Sequence, residues 1–517
     1  MEHTSIIYAA IAILYFILAA KFDIHMFQLS SYRYSRFFRW LVPGNIITGK
    51  RVMALALIAQ TFIGGYLSLG ILAYCVISAW VHYSREKFKT PLVYTMRVKR
   101  LFATNILIFT VIMAASLLCA GKWATLIIGI TLLLSDIVML LANLVNTPIE
   151  KAINRYYYND AKRIIESHKG LTIIGVTGSF GKTSTKNYLA SVLAEKYNVL
   201  VTPGNFNTLL GVIRTIREHL RPYHQVFIVE MGAKQPNDIK EICDLVRPTI
   251  GIVTAVGEMH LETFKSIENI QRTKFELIES LPSNGLGIIN NDSEYISSYK
   301  GLANNCRILK YSVNNKGDYN ACNVEYDGNG VKFTLDTNGE KFESRLLGTG
   351  NLLNILASIA VADHLDIPIQ KQKNAIARLQ PVEHRLSMSR AGGITILDDA
   401  YNSNPNGAKM ALEVLKSYTI GKENKRIIIT PGFVEMGSRQ YEANKYLGTT
   451  IASCADYAIV VNETNKEAIG KGLKDGNMIE DNIYFATSLT DARQHLGTIL
   501  KKGDVVLYEN DLPDNFK

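Results

Sequence analysis

A strand, a glycine-rich turn and a helix follow one another over residues 171–197, and few folds accommodate that order. Residues 171–176 are apolar and read as a buried strand, and residues 185–197 read as a helix. Between them runs Thr177-Gly178-Ser179-Phe180-Gly181-Lys182-Thr183-Ser184. Glycines let the backbone curl so that several N–H groups face one anion, and the helix N-terminus adds partial positive charge. Lys182 is expected to reach terminal phosphates and the Thr183 hydroxyl to hold Mg²⁺. The general motif wants glycine six residues before the lysine, where this chain has Val176. Gly178 and Gly181 supply the turn instead.

The rest of the chain is long enough, at 517 residues, for about three domains. Hydrophobic residues make up 48%, and most of the excess lies in residues 1–149. That region holds 13 Lys/Arg against 4 Asp/Glu, so about +9 of the overall +10 sits there. Such a distribution fits charge flanking a membrane and excludes a nucleic-acid footprint. Six scattered cysteines without a C-x-x-C pair argue against a disulfide framework or a zinc site. No S-G-G-Q motif appears, which speaks against a transporter ATPase.

Three apolar blocks occupy the N-terminal part: 5–20, 52–81, and 102–120 with 123–144. A spanning helix needs about 20 apolar residues. The basic loops 21–51 and 82–101 are expected on the cytoplasmic side. Residues 52–81 then enter and leave on one side, turning near Gly64-Gly65, and 102–144 makes a second hairpin at Gly121-Lys122-Trp123. The reading is four or five crossings over 1–147, a multi-pass protein of the bacterial plasma membrane. Everything after about residue 147 then faces the cytoplasm. Asp136, inside the third block, is satisfied by a neighbouring helix or is functional. Residues 148–170 read as a separate amphipathic connector, with Ile149, Ile153, Tyr156, Tyr157, Ile164 and Ile165 on one face, either lying on lipid or packing on the next domain.

From residue 171 short apolar runs at 171–176, 198–201, 225–229, 249–253 and 286–289 alternate with helical stretches. The fold class is therefore α/β, a mostly parallel sheet whose ligands gather at the strand C-termini. Each run ends in a polar loop: Thr202 to Thr208, Glu230-Met231-Gly232-Ala233, Gly257 to Glu262, and Asn290-Asn291-Asp292. A carboxylate such as Glu230 at a strand tip beside the phosphate loop is a direct or indirect Mg²⁺ partner. A second α/β domain follows from residue 385, with strands at 394–397, 426–430, 457–461 and 505–508.

These pieces together resemble the Mur ligase family, ATP-dependent amide-bond ligases of peptidoglycan precursors, and within it the D-alanyl-D-alanine-adding branch. The matching segments are Thr177 to Ser184, Thr202 to Asn207, Val229 to Ala233, His260 to Glu276, and Asp398-Asp399-Ala400-Tyr401-Asn402-Ser403-Asn404-Pro405. They cover about two-thirds of the chain. The resemblance implies a central ATP-binding domain at 171–384 and a Rossmann-like C-terminal domain at 385–517. It implies that Gly178, Ser179, Gly181, Lys182, Thr183, Ser184, Asn290, Asp292, Asn351 and Arg385 bind the nucleotide. It implies two Mg²⁺ ions held by Thr183, Glu230, His260 and Lys274, the last carbamylated. Lys182, Lys274, His260, Arg385 and Asp399 are the implied catalytic set. Phe433 to Gly437 is similar to a further family segment. The chain departs from the family at Ala255, Thr208 and Gly350, where Asn, Asn and His are usual, and the terminal K-G-S is absent. The membrane block also stands where the family carries its UDP-sugar domain.

The implied reaction phosphorylates a carboxylate with ATP and transfers the acyl group to an amine. Expected partners are a cell-wall precursor, lipid-linked in the attractive version, an amino acid or dipeptide, and membrane lipid, with no nucleic acid. Two other readings stay open: a membrane ligase of the poly-γ-glutamate synthase kind, and a non-catalytic nucleotide-binding scaffold of wall assembly.

Overall fold

The computed structural model describes residues 2–41, isolated positions from 51 to 81, and residues 90–510 apart from short interruptions at 121–122, 205, 259–260, 303–305, 402–403 and 435. The chain divides into two compact units, Met1–Tyr156 and Tyr157–Lys517.

The first unit is helical. Its described helices are Glu2–Leu29, Tyr34–Leu41, Met96–Cys119, Ala124–Leu133 and the start of Ser135–Ser167. Phe16 stacks on Phe109 with ring centroids 4.0 Å apart. Ile24 and Phe27, further along the first helix, group instead with Val98 and Leu101. The helices Glu2–Leu29 and Met96–Cys119 therefore run antiparallel. Asp136 is buried and bonded to Arg51 at 2.5 Å, which satisfies the acid by an ion pair. Buried Asp23 accepts from the Ser135 hydroxyl at 2.8 Å.

Several sequence expectations change here. The block 5–20 is part of a longer helix that reaches Leu29. The turns expected at Gly64-Gly65 and Gly121-Lys122 lie outside the described residues. The connector is not a separate helix, because Ser135–Ser167 is continuous and takes Pro148 into its interior. From Tyr157 onward that helix packs rather than standing free: Ala161 is fully buried, and Tyr158, Ile164 and Ile165 lean on the same apolar cluster as Phe227 and Val229. Arg217 ties it down, meeting Asp160 at 2.7 Å and covering the Tyr157 ring at 4.2 Å.

The second unit holds two sheets. The first contains β1 (Thr172–Thr177), β2 (Val199–Val201), β3 (Val226–Met231), β4 (Ile250–Val253), β5 (Leu286–Asn290), β6 (Arg307–Ser312), β7 (Tyr319–Asp327), β8 (Gly330–Leu335) and β9 (Lys341–Ser344). Their order is β2-β3-β1-β4-β5-β6-β7-β8-β9. The strands are parallel as far as β7 and antiparallel from β7 to β9. Alternation along the central strands sorts the core: Ile174 and Val176 face one apolar layer with the helix Gly348–His364, while Ile173, Phe227 and Val229 face the other.

The second sheet contains β10 (Ser387–Ala391), β11 (Ile394–Asp399), β12 (Arg426–Thr430), β13 (Tyr457–Val461), β14 (Ile483–Ala486) and β15 (Val505–Glu509) in the order β10-β11-β15-β12-β13-β14. All neighbours are parallel except β10 and β11. Ile428 and Leu507 face the layer that includes Leu412 and Leu447, and Ile427 and Val506 face the opposite one.

A row of three glycines crosses the first sheet. Gly175 pairs with Gly251, and Gly251 with Gly287. A Cβ at Gly175 would stand 2.5 Å from a methyl of Leu277, and one at Gly251 3.0 Å from the Cγ of Leu277. The row lets the helix Ile267–Glu279 sit close to the sheet. Gly251→Val should therefore lift that helix and cost about 1–3 kcal/mol by overpacking. A thermal melt reads the loss as a lower Tm.

Candidate active site

The phosphate loop joins the tip of β1 to the helix Lys182–Leu193, and its shape is fixed by bonds to the tip of β4. Gly181 has φ +82°, a left-handed conformation that favours glycine. At Gly178 a Cβ would stand 2.1 Å from the Thr254 hydroxyl. That hydroxyl bonds the carbonyls of Thr177 and Phe180. The Ser179 N–H donates to Ala255 O at 2.7 Å, and the Gly257 N–H donates to the Ser179 hydroxyl at 3.0 Å. Ser179 and Ser184 are buried. The Lys182 ammonium lies back over the loop, donating to Gly178 O at 2.7 Å and Ser179 O at 3.0 Å. Burial lowers its pKa to about 8, with Glu230 opposing the shift and Arg385 adding to it.

Glu230 is the hub beside this loop. It sits on β3 opposite Val176 and is almost wholly buried. Its Oε1 accepts from the Thr183 hydroxyl at 3.2 Å and from Asn207 Nδ2 at 3.1 Å. Its backbone N–H donates to the Thr202 hydroxyl at 3.1 Å. Lys186, one helical turn beyond Thr183, is equally buried and stands 3.0 Å from Glu230 Oε2. Burial alone would raise the Glu230 carboxyl, but Lys186, Lys182 and Asn207 together hold it below its ordinary value. Although Oε2 lies within ion-pair range of Lys186, it receives no well-directed hydrogen bond. An ionised, buried carboxylate whose Oε1 lies beside the Thr183 hydroxyl suits a hard divalent cation. Thr183 and Glu230 therefore fit Mg²⁺. Among the described residues no three His, Cys, Asp or Glu side chains converge as a ready cage. His260, expected as a metal ligand, lies outside the described residues.

Lys274 lies on the helix Ile267–Glu279, seated on the glycine row and capped by the Ser266 hydroxyl. It is buried, and among the described residues it makes no hydrogen bond or ion pair. Burial, helped by the charge of Lys182, lowers its pKa to about 7. Two residues on, Glu276 caps a neighbouring helix, accepting from the N–H groups of Asn237 at 2.7 Å and Lys240 at 3.0 Å.

The C-terminal domain contributes Arg385 and Asp399. Arg385 lies over the Tyr401 ring at 4.1 Å. Burial lowers its pKa, while Asp399, Tyr401 and Glu230 raise it, so its charge is felt at the phosphate loop. Asp399 accepts from the Leu386 N–H at 3.0 Å, and burial carries its pKa up to about 6 against the pull of Arg385. A second link is the ion pair of Arg439 with Glu258, in the loop that leads to His260.

Three expected nucleotide ligands are occupied by the fold. Asn290 donates to Thr254 O at 2.8 Å and accepts from the Asp292 N–H at 2.9 Å. Asp292 gathers the turn after β6, accepting from the Ser312 hydroxyl and the N–H groups of Val313, Asn314 and Asn315. Asn351 accepts from the Tyr188 hydroxyl at 2.9 Å, and Asn354 from the Thr185 hydroxyl at 3.0 Å. These two residues pin the helix Gly348–His364 to the helix of the phosphate loop. Lys186 escaped the sequence reading. Its signal was its spacing, three residues past Thr183 on one helical face. A cavity lined by Tyr158, Lys240, Arg247, Glu276 and Glu279 includes none of Lys182, Thr183, Glu230, Lys274 or Arg385. Its charges pair with acids, Lys240 with Asp244 and Arg247 with Glu166.

Comparison with known proteins bears directly on this geometry. The Mur ligase middle domain matches residues 176–362, and the Mur ligase, glutamate ligase domain matches residues 384–508. The chain belongs to the Mur ligase family. This Mur ligase is 30% identical over 290 residues to the UDP-N-acetylmuramoyl-tripeptide–D-alanyl-D-alanine ligase of Buchnera aphidicola, a match over 56% of the chain and 62% of that relative. It is 36% identical over 251 residues to the enzyme of the same name from Mycobacterium tuberculosis, over 48% of the chain and 49% of the relative. The chain thus spans about half to three-fifths of the length of these relatives. Among solved structures, the MurF ligase of Thermotoga maritima in complex with ADP superposes with a TM-score of 0.62 at 26% identity, covering 69% of this chain and 80% of that one. The mixed α/β fold with two largely parallel sheets is that of MurF.

The expected placement as a multi-pass protein of the plasma membrane is corrected by these matches. The family regions lie over 176–362 and 384–508, and the relatives are named as MurF-type ligases. Among the described residues two helices, Ala10–Leu29 and Met96–Cys119, are long and apolar enough to span, or three if the pair bent by 76° at residue 134 is one; most of the block 52–81 lies outside the described residues.

Proposed function

We propose that this Mur ligase activates a carboxylate with ATP and joins it to an amine, on the substrates its relatives' names specify: UDP-N-acetylmuramoyl-tripeptide and D-alanyl-D-alanine. The observation that carries the proposal is Glu230, ionised at a strand tip and bonded to Thr183 in the first turn after the phosphate loop.

ATP is a substrate here. A carboxylate oxygen of the tripeptide attacks the γ-phosphorus, the bond to ADP breaks, and an acyl phosphate forms. The amine attacks the acyl carbon, phosphate leaves, and the amine nitrogen loses a proton. Thr183 and Glu230 would hold Mg²⁺, which when bound would supply positive charge against the phosphates. The loop N–H groups and Lys182 hold the terminal phosphates in place. Arg385 brings a second fixed cation from the C-terminal domain. Asp399 orients it, and closure of that domain keeps water from the acyl phosphate. Lys274, neutral above about pH 7, is poised to react with CO₂ and become a carbamate, an acid that would serve a second Mg²⁺ together with His260.

The relatives' names specify a nucleotide-linked acceptor, so the lipid-linked acceptor has no support beyond the N-terminal composition. The test uses the full chain with ATP, Mg²⁺ and D-alanyl-D-alanine. With UDP-N-acetylmuramoyl-tripeptide the expected result is ADP, phosphate and the extended peptide in equal amounts. Turnover only with a lipid-linked tripeptide would move the acceptor class. No ADP formed with either would overturn the proposal and favour a scaffold.

A further inference from the structure

We infer that Lys186 is a positioning residue for the magnesium site, holding Glu230 with its Oε1 presented beside Thr183; this rests on the reading of Thr183 and Glu230 as the metal pair. Lys186 lies on the buried face of the helix Lys182–Leu193. Its ammonium makes three contacts: Glu230 Oε2 at 3.0 Å, Thr202 O at 2.9 Å and Gly204 O at 2.9 Å. Both charged side chains are nearly sealed from water, at 2% and 3% exposure. A buried carboxylate needs a counter-charge at close range, and this lysine is placed to give it.

The direction of each contact matters. Lys186 engages Oε2, whereas Thr183 and Asn207 engage Oε1. Lys186 holds one oxygen, and the other stays beside the Thr183 hydroxyl. The two carbonyl bonds add a second duty. Thr202 and Gly204 begin the loop that ends at Asn207, so one ammonium fixes both the carboxylate and the loop that supplies its other partner. Lys182 differs from it in reach. Lys182 is half-buried and bonded only to loop carbonyls, free to turn to phosphate, while Lys186 is enclosed and committed.

The experiment compares four full-length proteins: the native chain, Lys186→Met, Glu230→Gln and the double variant. ADP binding is followed calorimetrically while Mg²⁺ is titrated, and each protein's Tm is recorded. Lys186→Met should raise the Mg²⁺ needed for half-saturation about tenfold in the native background, yet by no more than about twofold beside Glu230→Gln. The double variant buries two neutral groups in place of an ion pair. Its Tm should lie above that of Lys186→Met, which keeps the measurement open if the single variant folds poorly. Equal shifts in both backgrounds would overturn the inference and leave Lys186 as a staple for the 202–204 turn. Absence of Mg²⁺-dependent ADP binding by the native chain would instead overturn the metal pair itself.

Discussion

Lys182→Met should lower kcat by about 10²–10³-fold while leaving the fold intact. The substitution keeps the aliphatic stem and removes the one ammonium that the phosphate loop can extend toward a terminal phosphate. In the structure that ammonium rests on the carbonyls of Gly178 and Ser179, so reaching a phosphate exchanges two neutral acceptors for an anion. The gain appears only when charge develops on the transferring group, which is why kcat rather than binding carries the loss. The loop itself is held by Thr254, Ser179 and the Asn354–Thr185 bond, none of which needs the lysine charge. Tm should therefore stay within about 1 °C or rise, because an ammonium is disfavoured in this setting. A collapse of Tm, or retention of full turnover, would show that Lys182 acts as structure.

Lys274→Ala should cost about 10²–10³-fold in kcat, with part of the loss restored by added acetate or formate. The argument begins with isolation. Lys274 is buried without a described hydrogen bond or ion pair, and its pKa is lowered from 10.5 to about 7. A neutral amine at physiological pH can take up CO₂, and on the proposed reading the resulting carbamate would be the anionic ligand that Thr183 and Glu230 alone do not supply. The pH dependence follows with a definite sign. Lys274 must shed its proton to react, so activity falls below about pH 7. Lys182 must keep its proton to hold phosphate, and with a pKa of about 8 activity falls above that value as well. Turnover should be confined to a narrow bell between the two, read from kcat/KM at constant total bicarbonate. Stability moves differently. In the folded chain both lysines lose protons earlier than in the unfolded chain, where the ordinary value is 10.5. The unfolded state therefore binds more protons over that interval, and stability rises with pH from about 7 toward 10.5. Activity and stability should part company above pH 8.

The strands that carry chemistry were legible because each couples an apolar run to a loaded tip. β1, β3, β4 and β5 begin and end within one or two residues of where the sequence placed them. β12 and β13 agree with it fully. The antiparallel extension β7 to β9 was not legible. Its strands alternate buried and exposed residues beside Asn-Gly and Thr-Asn-Gly turns, and that pattern reads as loop when the helical alternation around it dominates. Site residues divided by a similar rule. Lys182, Thr183 and Glu230 meet because motif spacing places them at adjacent tips. Asn351 and Asp292 carry motif identities, yet their polar atoms serve helix docking and a turn. A sequence motif records that a residue matters without recording which atom it holds. Lys186 belongs to no phosphate-loop pattern; spacing puts it on the helical face of Thr183, and burial against Glu230 shows what it holds. The glycine row was also silent, because register across three strands cannot be read along one.

The contact between Arg439 and Glu258 has a physical consequence of its own. The arginine is largely exposed and the glutamate mostly covered, so one half of the pair answers to the solvent. Dissolved salt weakens such a solvent-facing bond as the screening length shortens, to about 10 Å at 0.1 M, whereas it barely touches the buried Lys186–Glu230 pair. Ionic strength thus acts as a selective solvent knob on this molecule. It loosens the clasp between the catalytic lobes while leaving the inner charge pair beneath the triphosphate's seat as it was.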